Sequence, residues 1–169
     1  MRASPSTQAA VQATLQQWKV AYSRRDLDGA LAVVAPDDDV VGIGTGVDEW
    51  RVGPGQFRAQ LERDFAQSEA LSVDYEPLVV SEAGPVAWVA GRVTVQARLE
   101  GQHVALTGRF TAVLEQRRDR WLLMQTHFSL PAAEQSPGPI LLSGVPAASR
   151  RGPFSRLGPA GPGQAGLPG

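Results

Sequence analysis

From Leu71 to Leu130 the apolar residues of this chain recur at every second position, and this change of period constrains the fold more than any other feature. Four strand-like runs follow one another: Leu71–Ser81, Val86–Leu99, Val104–Gln116 and Trp121–Leu130. They are separated by Glu82-Ala83-Gly84-Pro85, Glu100-Gly101-Gln102 and Arg117-Arg118-Asp119-Arg120, all short turn signals. Consecutive long strands joined by tight turns predict an antiparallel meander. Strands of this length curve, and Gly91 and Gly108 stand mid-strand where a bend or bulge is tolerated. Such a sheet needs a cover for one face.

The residues ahead of it supply that cover. Val11, Leu15, Trp18 and Tyr22 fall at i, i+4, i+7 and i+11, the stripe of an amphipathic helix. Ser4 before Pro5 marks its start, and its end is expected near Ser23-Arg24-Arg25. Asp26 caps a second, short helix over residues 27–34, which Pro36 terminates. Asp37-Asp38-Asp39 turns into a short strand, Val40–Ile43. Phe57, Leu61 and Phe65 predict a third helix from about Pro54 to Gln67. The expected class is α+β, with three N-terminal helices packed on a curved antiparallel sheet.

From Glu134 the composition changes. Prolines 137, 139, 146, 153, 159, 162 and 168 prevent a continuous helix or an interior strand, and the later charges are only Arg150, Arg151 and Arg156. The chain therefore divides into a domain over 1–133 and a Pro/Gly-rich tail over 134–169, expected to be disordered. Within that tail Pro139-Ile140-Leu141-Leu142 is the one apolar patch able to dock back on the domain.

Composition excludes several functions. No apolar run approaches the ~20 residues of a membrane span, and Met1–Gln8 has no apolar core of a secretory signal. The absence of cysteine removes disulfide and thiolate chemistry and suits a reducing cytoplasm, the expected location. The net charge is −1 and Lys19 is the sole lysine, so the concentrated basic face of a nucleic-acid binder is not expected. Two distant histidines make a poor metal set, and neither a metal nor a cofactor is expected.

Several motifs occur in an ordered series: Trp18 and Tyr22, Arg25-Asp26-Leu27-Asp28, Ile43-Gly44-Thr45-Gly46 to Trp50-Arg51-Val52-Gly53, Arg109-Phe110-Thr111, and Trp121 to Ser129. In this order they resemble the nuclear transport factor 2-like superfamily, and more narrowly its SnoaL-like (polyketide cyclase-like) branch, close to ketosteroid isomerase. The resemblance covers roughly residues 7–131. It implies a cone-shaped fold whose pocket lies between the concave sheet face and the helices. It says little about activity, because the fold carries isomerases, cyclases, dehydratases and non-catalytic modules. The tyrosine, base and protonated-acid set of ketosteroid isomerase is not matched: Ile43-Gly44 follow the first strand where an acid is needed. The aspartate base and histidine of related cyclases find a counterpart only in His127.

Strand alternation decides which side chains reach such a pocket. On the last strand Trp121, Leu123, Gln125, His127 and Ser129 share one face, and the resemblance favours that set as inward-facing. His127 is then a titratable group in the pocket, or a neutral histidine bonded to a neighbour. Asp48 and Glu49 are adjacent, so on an extended segment at most one faces the pocket, as a general base or in a salt bridge with Arg51, Arg109 or Arg58. Trp50 is expected as a wall or lid. Arg109, if inward, needs one of these acids or an anionic ligand. Trp88 is either core or a ligand-stacking residue. Gly42-Ile43-Gly44-Thr45-Gly46 lacks the lysine of a phosphate loop and the βαβ setting of a dinucleotide fold.

Two functional readings compete. One is a module binding a small hydrophobic molecule through Trp18, Tyr22, Trp50, Trp88, Arg109, Trp121, Gln125 and His127, and forming a homodimer through its sheet. The other is a lyase or isomerase in which Asp48 or Glu49, with His127, moves a proton on a carbonyl-containing substrate. A pure dimerisation domain with a solid core is the third possibility.

Overall fold

Ser4 and Pro5 start the first helix, as their chemistry predicts. In the computed structural model, which describes residues 1–132, α1 spans Pro5–Arg24. The Ser4 hydroxyl accepts from the Thr7 amide at 3.2 Å, and Arg25 closes the helix in the left-handed region at φ 58°. Val11, Leu15 and Tyr22 are buried, and Trp18 is half-buried. The expected tail lies outside the described residues, as does its apolar patch.

The second helix, α2, spans Leu27–Leu31, with the Gly29 amide bonded to Asp26 Oδ1 at 2.9 Å. It stops three residues short of the expected Val34. The backbone of that segment is claimed by the sheet instead: Leu123 donates to the Val33 carbonyl at 2.8 Å and accepts from the Ala35 amide at 2.9 Å. Sheet pairing wins over local helix propensity there.

Next come β1 (Val41–Ile43) and β2 (Trp50–Val52), which pair antiparallel across the glycine-rich stretch. A strand of three residues carries no alternation, so β2 leaves no periodic signal in the sequence. Helix α3 spans Pro54–Gln67 and buries Leu61 and Phe65. The expected strand Leu71–Ser81 is in fact two, β3 (Ala70–Tyr75) and β4 (Val79–Ala83), interrupted around Pro77. Both pair antiparallel with β5 (Val86–Leu99), β3 along its second half and β4 along its first. β6 (Gln102–Arg117) and β7 (Arg120–Ser129) complete the meander.

The sheet has seven strands in the order β2-β1-β7-β6-β5-β3, with β4 also on β5. β1 runs parallel to β7, so the sheet is mixed, not purely antiparallel as expected. A parallel neighbour needs a long crossover, and the passage from β1 back to the sheet through α3 and the meander provides it. The third helix accordingly follows the first two strands. The core lies between the helices and one sheet face, with Leu15, Val89, Leu114 and Leu123 almost wholly enclosed. Residues ahead of α1 are tied to the other end of the sheet, the Ala3 amide bonding the Val80 carbonyl at 3.1 Å. No helix among the described residues is long and apolar enough to cross a membrane.

Candidate functional site

The apolar stripe of α3 is interrupted by polar residues on its own face. Gln60 and Asp64 stand three and seven residues after Phe57, beside Leu61 and Phe65. They face a cavity of about 310 Å3 between the helices and the sheet. Leu15, Phe57, Val93, Leu106, Phe110 and Phe128 give it an apolar wall. Trp18 and Tyr22 enter from α1, stacked with ring centroids 4.6 Å apart.

The polar side is one connected network. The Tyr22 hydroxyl donates to Asp64 Oδ2 at 3.1 Å, and Gln60 Nε2 donates to Asp64 Oδ1 at 2.7 Å. The same amide reaches Glu49 Oε1 at 3.3 Å, so two carboxylates share one neutral donor. Arg63 binds Glu49 at 2.9 Å and Asp48 at 2.6 Å, while Arg51 donates to Gln60 Oε1 at 3.0 Å. Glu49 Oε2 accepts from the Gly46 amide at 2.8 Å, which explains the crowded turn: a Cβ on Gly44 or Gly46 would run into the Glu49 side chain. The glycines fold a carboxylate back over its own turn.

Burial holds the Asp64 carboxyl above the ordinary carboxylate range, and the Glu49 charge adds to this; the bonds from Gln60 and Tyr22 pull the other way. Among the described residues Asp64 forms no ion pair, its contacts being neutral donors. The Tyr22 hydroxyl is raised well above its usual range by burial first, then by the Asp64 charge. Tyr75, on β3, is raised by burial alone. Both phenols therefore remain protonated donors at any physiological pH.

The structure brings together only part of the expected site. Trp18, Tyr22 and Glu49 line the cavity. Asp48 sits on the exposed rim, bound to Arg63, as adjacency to an inward Glu49 requires. Trp50 is 63% exposed on β2, neither wall nor lid. Trp88 is 40% exposed, and Arg109 is exposed with no acid partner in the cavity. Trp121 is buried in the core, its carbonyl accepting from Thr14 at 3.1 Å.

Gln125 and His127 do not line the cavity; Leu123, Thr126 and Phe128 do. The cause is a bulge. Leu114 pairs with Leu123 but Val113 pairs with Gln125, so Met124 is an extra residue in β7. Past it the parity inverts, and His127 lies opposite the exposed Thr111. Glu49 and His127 therefore do not converge on one cavity. Asp64 and Gln60 went unread in the sequence, although their spacing from Phe57 places them on the core face of α3. Among the described residues no group of three or more His, Asp or Glu side chains could hold a metal ion.

The family model of the SnoaL-like domain matches residues 11–133, and the chain belongs to that family. No functionally curated protein matches the sequence. Among solved structures, a nuclear transport factor 2-like superfamily protein from Salmonella enterica serovar Typhimurium aligns with TM-score 0.72 at 14% identity, over 81% of this chain and 99% of its own. A candidate dehydratase of the NTF2-like family from Streptomyces avermitilis aligns with TM-score 0.69 at 21% identity, over 77% of this chain and 100% of its own. A candidate aromatic ring hydroxylase from Novosphingobium aromaticivorans gives 0.70 at 18% identity, over 78% and 93%. These likenesses establish an NTF2-like α+β fold.

Proposed function

We propose that this SnoaL-like domain protein binds a compact, largely apolar small molecule in the cavity between its helices and its sheet. The observation that carries the reading is the cavity itself: about 310 Å3, aromatic and aliphatic on most sides, with one polar cluster around Asp64. Ligand sites have this composition, a few placed polar groups in an apolar wall. A library of small hydrophobic compounds, followed by thermal unfolding, tests it. At least one class raises the Tm in a concentration-dependent way, and Leu106→Trp or Val93→Phe, which fill the cavity, abolish the shift. A library without a single saturable shift rejects the proposal.

A second reading, proton transfer on a carbonyl-containing substrate, is favoured by one observation. Asp64 is a carboxyl held above its ordinary range beside a second carboxylate, Glu49, on the same cavity. This keeps Glu49 from the expected enzyme and puts Asp64 where His127 had been expected. Solvent-deuterium exchange into an enolisable ketone, lost in Asp64→Asn, would support it. The proposal also includes a homodimer formed through the outer sheet face, where Trp88 and Val79 are exposed.

A further inference from the structure

Tyr75 is a polar side chain of the cavity lining outside the network around Asp64, as are Thr45 and Thr126, and it alone of the three carries an aromatic ring fixed by packing. It lies on β3 opposite Val93 of β5, with its ring held against Phe110 at a centroid distance of 5.3 Å and a tilt of 53°. The residue is half-buried and its hydroxyl is not sealed off, so it keeps some access on the cavity side. It makes no hydrogen bond among the described residues, in contrast to Tyr22, whose hydroxyl is taken by Asp64. Packing against Phe110 alone would be served as well by phenylalanine, so the unengaged hydroxyl on the cavity lining is free to meet a ligand.

We infer that Tyr75 is a specificity-determining residue that donates a hydrogen bond to a neutral acceptor, a carbonyl oxygen, on a compact ring ligand. This rests on the cavity being a small-molecule site. The neutral class follows from the surroundings. Glu49 and Asp64 border the same space, and Arg51, the cation that lines it, is already bonded to Gln60 and to the Asp48 carbonyl. An anionic ligand would meet carboxylates without a free cation. The ring that fixes Tyr75 is Phe110, so the hydroxyl position is set by packing, and a ligand group must come to it. The volume, at the lower end for ligand sites, suits a two-ring molecule.

The test uses the full chain and two nearly isosteric probes, 2-acetylnaphthalene and 2-isopropylnaphthalene, with Kd measured by titration calorimetry against wild type and Tyr75→Phe. Wild type is expected to bind the ketone about five- to tenfold more tightly than the hydrocarbon, the effect of one net hydrogen bond. Tyr75→Phe is expected to lose that preference while its affinity for the hydrocarbon stays unchanged. Equal affinities in wild type, or a preference that survives in Tyr75→Phe, overturn the assignment and leave the cavity reading intact. Equal weakening of both probes in Tyr75→Phe assigns the residue to packing and also overturns it. Failure of both probes to bind wild type overturns this inference, while the cavity reading is decided separately by the thermal-shift library.

Discussion

Asp64 shows how one side chain turns a hydrophobic stripe into a site. Phe57 and Leu61 share its face of α3, Gln60 stands one turn before it, and its own bonds come only from Tyr22 and Gln60. Because its folded pKa is raised, the folded state holds a proton over a range where the unfolded chain has released it. Stability therefore falls as pH rises through the window between the ordinary carboxylate value and the raised one, and stays lower above it. Asp48, Asp74 and Glu82, all lowered, act with the opposite sign and lose their contribution as pH falls. Comparing Asp64→Asn with wild type isolates the one group. The asparagine keeps the side chain's shape, and the Tyr22 hydroxyl can accept where it now donates. Urea unfolding at about pH 3 and about pH 7 should show Asp64→Asn gaining on wild type at the higher pH. A difference independent of pH would mean that Asp64 is not desolvated in solution. Sequence inspection could have reached Asp64, since a carboxylate seven residues after Phe57 lies on the buried stripe. The partner that makes it informative, Tyr22, is 42 residues away, and no local pattern reveals that bond.

At the scale of elements, local chemistry made the helices legible and tertiary pairing obscured the rest. The Ser4 cap and Pro5 located the start of α1, and the spacing of Phe57, Leu61 and Phe65 located α3. The end of α2 and the split at Pro77 depend on which carbonyl or amide finds a sheet partner. The Met124 bulge depends on the register between β6 and β7, and that single residue sends His127 to the outer face. Gly91 and Gly108, expected as bend or bulge positions, act as clearance instead. A Cβ on Gly91 would meet the end of the Leu78 side chain, whereas one on Gly108 would meet Phe128 and the Ser129 carbonyl. A flexible methyl can swing away, but a paired backbone carbonyl cannot. Gly108→Ala should therefore cost about 1–3 kcal/mol, and Gly91→Ala should be near neutral, since alanine in a strand also restricts the unfolded chain. Urea midpoints at unchanged m-value measure both. If Gly91→Ala proves the worse, the clearance argument fails.

For the whole molecule, the sheet presents two unlike faces. One carries the core and the cavity. On the other, the register aligns Ser81, Trp88, Val113 and Gln125 in one row and Val79, Ala90, Thr111 and His127 in the next. Trp88 and His127, both expected in the pocket, thus stand on the outer face, because the sequence shows alternation but not which side the helices cover. An antiparallel face can remain in water. Here, though, Trp88 is 40% and Val79 68% exposed on adjacent strands, a pairing of large apolar groups that a second copy of the same face would shield across a two-fold axis. Arg92 and Arg109 stand opposite each other across β5 and β6, and this pair of like charges limits how far such an interface extends. The proposed homodimer should sediment as a dimer at tens of micromolar protein, on the order of interfaces of modest size. Trp88→Arg adds a third guanidinium beside the apolar row and should shift the population to monomer. Because Trp88 does not line the cavity, the same variant should retain the thermal shift with the hydrophobic ligands. A wild-type monomer at that concentration would remove the dimer from the proposal. A Trp88→Arg variant that stays dimeric would move the interface off this face. Loss of ligand response along with the dimer would show instead that the two faces of the sheet are coupled.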